Sequence, residues 1–128
     1  MELDFNSEKP IFQQIAEGLE DSILSRAFPE ESQIPSITEF SVLYKINPAT
    51  ALKGINLLVD AGVVYKKRGV GMFVAQGAVE ALRAKRKEGF YDRFVASLVA
   101  EAKRLGIGRE ELAKLIDRGF AQGEKEEL

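Results

Sequence analysis

Residues 47–74 read NPATALKGINLLVDAGVVYKKRGVGMFV, and this stretch decides the fold. Asn47 is a good capping residue, and Pro48 follows at the first helical position, where its missing N–H costs nothing, so a helix opens here. Ala51, Ile55, Leu58 and Val59 recur at helical spacing and predict its buried stripe. Ala49, Thr50, Lys53 and Asn56 share another face of small, polar and basic side chains. Ala61-Gly62 supplies a left-handed C-terminal cap. Val63-Val64-Tyr65-Lys66-Lys67 and Met72-Phe73-Val74-Ala75 are then two short β-prone runs around Arg68-Gly69-Val70-Gly71, the pattern of a glycine-rich hairpin.

Upstream, Ser36-Ile37-Thr38-Glu39 matches a capping box, with Pro35 fixing the approach of the chain. It predicts a short helix to about Tyr44, whose apolar Ile37, Phe40, Val42 and Leu43 divide between the core and the following helix. Gln33-Ile34 reads as a very short strand, and Pro29 ends whatever helix precedes it. That earlier helix enters at Ser7-Glu8-Lys9-Pro10, and Ile11, Ile15, Leu19 and Ile23 form its core stripe. Glu17, Glu20 and Asp21 fall on its polar face. Three helices and then a hairpin is the order of a winged helix-turn-helix, mainly α with a small β-hairpin.

Downstream, Phe90, Tyr91, Phe94, Val95, Leu98, Ala102 and Leu105 continue a stripe begun by Val79 and Leu82. After the break Gly106-Ile107-Gly108, a second stripe follows in Leu112, Leu115, Ile116 and Phe120. This predicts a C-terminal helical hairpin with more apolar surface than it can bury alone, for which a second copy of the chain is the economical cover. The expected division is a winged helix-turn-helix domain over 1–77 and a helical dimerisation region over 78–128.

Composition narrows the chemistry. The chain of 128 residues lacks both cysteine and histidine, which removes disulfide frameworks, thiolate zinc sites, Cys or His nucleophiles and the commonest general base. With no phosphate-cradling loop or serine elbow, no enzyme and no cofactor are expected. The acidic start Met1-Glu2-Leu3-Asp4 is not a secretory signal, and no run of about 18 apolar residues occurs, so a cytoplasmic protein without membrane contact is expected.

The net charge of −2 conceals an asymmetry. Residues 1–31 carry Lys9 and Arg26 against Glu2, Asp4, Glu8, Glu17, Glu20, Asp21, Glu30 and Glu31, whereas residues 32–71 carry Lys45, Lys53, Lys66, Lys67 and Arg68 against Glu39 and Asp60. Phosphate neutralisation by Lys and Arg supplies most sequence-independent affinity for DNA, so the middle segment is the candidate interface. The major groove admits one helix, read from its N-terminal end. There, Asn47 and Thr50 can donate to phosphate or base edges, Ala49 can touch a thymine methyl, and Lys53 can reach a guanine or a phosphate. Lys66, Lys67 and Arg68 precede Gly69 and Gly71, which let a hairpin tip approach a sugar-phosphate backbone.

Taken together, Pro10-Ile11-Phe12-Gln13-Gln14-Ile15, Ile34-Pro35-Ser36, Asn47-Pro48-Ala49-Thr50, Gly62-Val63-Val64 and Arg68-Gly69-Val70-Gly71-Met72-Phe73-Val74 resemble the GntR family of bacterial regulators over about residues 9 to 75. The resemblance implies DNA contacts by Ser36, Thr38, Asn47, Ala49, Thr50 and Lys53, and by Arg68, Gly69 and Gly71 of the wing. Thr38 and Pro48 stand where that family frequently has arginine. Asn47-Pro48-Ala49-Thr50 and the short tail look like its YtrA-like branch, which implies control of ABC-type transporter genes. The expected function is a sequence-specific transcription regulator, read as a repressor, binding a palindromic double-stranded DNA operator as a homodimer. A winged-helix module that binds protein is the alternative, and no residue pattern names a small-molecule effector.

Overall fold

The computed structural model describes residues 1–127, with side chains to Glu124. The chain divides into two compact units, Met1–Lys85 and the residues from Arg86 onward.

In the first unit, α1 (Ile11–Leu24) leads through β1 (Gln33–Ile34) to α2 (Ile37–Tyr44) and α3 (Pro48–Asp60), then to β2 (Val64–Lys67), β3 (Gly71–Val74) and the greater part of α4 (Ala78–Glu88). The hairpin predicted from the glycine-rich turn is part of a three-stranded antiparallel sheet of order β1-β3-β2. Gln33 and Ile34 pair with Phe73 and Met72, and this adds the third strand.

The two helices of the helix-turn-helix start where their local chemistry requires. Ser36 Oγ accepts the Glu39 amide at 3.1 Å while Glu39 Oε1 accepts the Ser36 amide at 3.2 Å, completing the capping box of α2. At α3, Asn47 Oδ1 accepts the Ala49 amide at 2.8 Å. That helix ends in a Schellman motif, with the Gly62 amide on Val59 O and the Val63 amide on Leu58 O.

The core joins Ile15, Leu19 and Ile23 of α1 to Phe40, Ile55, Leu58, Val64 and Val74. Ala78, Val79 and Leu82 belong to it too, so the start of the predicted tail stripe is spent on the first unit. Gly54 lets α1 and α3 approach closely: a Cβ there would stand 2.7 Å from the Phe12 carbonyl oxygen.

Two expectations on the helix faces are corrected and a third is refined. Val42 and Leu43 are 74% and 66% exposed rather than shared between core and α3, because Ile37, Phe40 and Tyr44 already fill the inward stripe of this short helix. Glu20, expected on the polar face of α1, is only 9% exposed. Val59, expected in the α3 stripe, is partly buried against the core, and Gly54 takes a buried place beside Ala51, Ile55 and Leu58.

The second unit holds a π-helical turn (Tyr91–Val95), α5 (Ala96–Arg104) and α6 (Arg109–Glu127). The break expected at Gly106-Ile107-Gly108 is a second Schellman motif, with Ile107 N–H on Ala102 O at 2.8 Å. Of the predicted stripe residues Ala102 is buried, and Val95 and Leu112 are half-buried. Phe90, Tyr91, Phe94, Leu98, Leu105, Leu115, Ile116 and Phe120 are exposed.

Candidate nucleic-acid interface

The N-terminal end of α3 is built around Asn47. Its side-chain oxygen is occupied by the Ala49 amide, so the cap leaves the carboxamide NH2 group uncommitted. Ala49, Lys53 and Asn56 line one exposed depression of about 300 Å³ together with Leu52, Leu57 and Asp60. Thr50, expected on this face, is half-buried. Lys53 is exposed, and its Nζ lies 4.1 Å from the centroid of the Phe12 ring in α1, a cation–π seat that holds the ammonium beside the helix.

The approach to α3 is fixed by Lys45, which takes a left-handed conformation (φ 54°, ψ 52°) as the C-cap of α2. The Ile46 amide returns to Ser41 O at 3.1 Å, which closes the turn between the two helices. Thr38 is exposed on α2 and borders an apolar depression with Pro35, Glu39, Val42 and Leu43. Ser36 is exposed, with its oxygen engaged in the capping box.

The wing separates its two lysines. Lys66 is the cross-strand partner of Met72 and Lys67 that of Gly71. Strand side chains alternate, so Lys66 shares a face with buried Val64, Met72 and Val74, and Lys67 shares the opposite face with Tyr65 and Phe73. On that outer face Tyr65 stacks on Phe73 at 5.7 Å and Lys67 Nζ sits 5.5 Å from the Phe73 ring.

Arg68 and Gly69 form the exposed tip, with Gly69 at φ 78°. Gly71, at φ 146°, is tucked under the Gln33 side chain, where a Cβ would collide with Gln33 Nε2. Gln33 Nε2 donates to Val70 O at 3.1 Å and so ties the tip to β1.

Other supports lie far away in sequence. Glu30 accepts the Gly77 and Val79 amides at 2.8 and 3.1 Å, and these bonds hold its carboxyl below the usual value. Tyr65 OH donates to Glu31 Oε2 at 3.0 Å, which raises the phenol pKa. Gln33, Glu30 and Glu31 escape a reading of sequence because each partner is 34 or more residues distant.

Lys9, Lys85 and Arg104 are paired with carboxylates. Among the described residues, Lys45, Lys53, Lys66, Lys67 and Arg68 take part in no ion pair, and all are exposed. A helix-turn-helix with an uncommitted basic wing defines a DNA-binding class of protein.

Residues 11–74 match the family model "Bacterial regulatory proteins, gntR family". The HTH-type transcriptional regulator YhcF of Bacillus subtilis is 30% identical over 125 residues, covering 96% of this chain and 99% of its own length. The transcriptional repressor YtrA of the same organism is 24% identical, covering 91% of this chain and 88% of its own.

Among solved structures, a GntR-family regulator from Bacteroides thetaiotaomicron superposes with a TM-score of 0.70 at 34% identity, over 88% of this chain and 98% of that one. The DNA-binding domain of AraR, solved in complex with operator ORX1, covers 59% of this chain and 96% of its own at 26% identity and a TM-score of 0.54. The chain belongs to the GntR family of bacterial regulatory proteins. It is a transcriptional regulator with a DNA-binding winged helix-turn-helix. Among the described residues no helix is long and apolar enough to cross a membrane.

Proposed function

We propose that this chain binds a palindromic operator as a homodimer and represses transcription, with DNA contacts in residues 1–77 and dimerisation through residues 78–128. The observation that carries the DNA contact is the set of five cations between Lys45 and Arg68 that no carboxylate neutralises. Lys45, Lys53, Lys66, Lys67 and Arg68 supply sequence-independent affinity, and Asn47, Ala49 and Thr50, with Ser36 and Thr38 at the start of α2, choose the sequence. Gly69 and Gly71 shape the tip that meets the backbone. AraR's complex with its operator supports the same use of this domain.

Dimerisation is supported by the exposed Phe90, Tyr91, Phe94, Leu98, Leu105, Leu115, Ile116 and Phe120, joined in the interface by Val95, Ala102 and Leu112. An apolar set of this size is costly in water, and a second copy covers it by the twofold that two operator half-sites require. Repression follows the relative YtrA, and the family resemblance points to transporter genes of the ABC type as targets.

Selection of bound sequences from random DNA, with sedimentation of the free protein, tests this reading. A palindromic consensus bound by a dimer is expected, with affinity falling steeply as salt rises. A monomer at micromolar concentration removes the dimer, and negligible DNA affinity leaves the protein-binding alternative.

A further inference from the structure

Phe12, the second residue of α1, is half-buried and lies outside the core that Ile15, Leu19 and Ile23 of the same helix build. Its place is set by Gly54. A Cβ on that residue would stand 2.7 Å from the Phe12 carbonyl oxygen and 3.0 Å from Ile15 Cβ, so glycine is what lets α3 come this close to the start of α1. Lys53 precedes Gly54 in α3, and the same close approach brings the Phe12 ring to 4.1 Å from the Lys53 ammonium. That is well inside the roughly 6 Å over which a ring attracts a cation.

Lys9, Lys85 and Arg104 are held by carboxylates, which offset the charge they hold. A ring holds an ammonium without neutralising it, so Lys53 keeps its charge while its four-carbon stem loses freedom. Asp60 lines the same exposed depression, yet among the described residues Lys53 forms no ion pair with it. An ordered, un-neutralised ammonium beside α3 suits a phosphate contact, because ordering a long side chain on binding costs affinity. We propose that Phe12 is a positioning residue for DNA binding: its ring, seated by Gly54, holds the Lys53 ammonium in place for a phosphate. This role rests on the proposed DNA contact of Lys53, and it falls to a residue of α1 that need not touch DNA itself.

Binding of the full chain to a duplex carrying the consensus selected from random DNA, and to a scrambled duplex, tests the role. Lys53→Ala is expected to weaken both and to flatten the salt slope by about 0.9. Phe12→Leu, which keeps an apolar side chain and removes the ring, is expected to lower both affinities about two- to tenfold, the cost of ordering one long side chain. Phe12→Tyr keeps the ring and the parent's affinity. In the Lys53→Ala background Phe12→Leu has no further effect, a coupling that a merely structural role would not produce. Parent-like or tighter binding by Phe12→Leu, or the same loss with and without Lys53, overturns the proposal. Unchanged affinity of Lys53→Ala instead defeats the DNA contact of Lys53 on which the role depends. If Phe12→Leu fails to melt cooperatively, proton NMR of the parent decides. The ring current should hold the Lys53 ε-methylene protons upfield both in the free chain and in the DNA complex, and their return to the ordinary position on DNA binding overturns the proposal.

Discussion

Lys66 is paired across the wing with Met72, and this pairing turns it to the face that carries Val64 and Val74, opposite the face that Lys67 shares with Phe73. Adjacent residues of the same charge therefore serve different surfaces. The inward face is the one continuous with the helical core, with exposed Lys66 as its outermost member, and the proposed wing contact rests chiefly on that lysine.

Lys66→Ala is accordingly expected to weaken operator binding more than Lys67→Ala. For a phosphate contact, the slope of log affinity against log salt should become shallower by about 0.9 for Lys66→Ala, with matched and scrambled operators affected alike. Lys67→Ala should flatten the slope by a smaller amount. Salt titrations of both variants provide the comparison, and equal slopes would show that strand alternation does not govern the wing contact.

Asn47 combines a structural and a proposed recognition role in one side chain, and substitution can separate them. Asn47→Ala removes the acceptor of the Ala49 amide and should cost about 0.5–2 kcal/mol of stability. Asn47→Asp retains an acceptor and places negative charge at the positive end of the α3 dipole, so its melting temperature should match or exceed the parent's. Its operator affinity should nevertheless fall, because the carboxylate faces phosphate. Full DNA affinity in Asn47→Asp would reduce Asn47 to a cap.

Glu30 makes a pH-dependent contribution. The Gly77 and Val79 amides hold its folded pKa below the ordinary 4.5, so the stability it supplies is complete above the unfolded value and is lost as pH falls through the folded one. Glu30→Gln should melt below the parent at about pH 7, and the gap should narrow on acidification below about pH 5. Parallel thermal melts across that range provide the measurement; a constant gap would mean that the amide bonds do not distinguish the carboxylate from its neutral form.

Much of the fold was legible because its signals are local. The Ser36–Glu39 capping box, the Asn47-Pro48 start and the Gly62 stop each act within one helical turn, and each lies where the spacing places it. The charge asymmetry that singles out residues 32–71 is also a property of composition alone. Less legible was which face of a short amphipathic helix is buried, since Val42 and Leu43 are as apolar as Phe40 yet find no room inside.

The sequence by itself determined the order of helices and strands, the caps that bound them and the family to which the chain belongs, because these rest on residues close together in the chain. Only the tertiary structure decided that Lys66 and Lys67 face apart, that Lys53 sits on Phe12, that Glu30 caps the start of α4 and that Glu20 is buried beside a cleft. Each of these is set by register or packing between segments distant in sequence. No local propensity encodes such pairings; they follow from the burial of one common core.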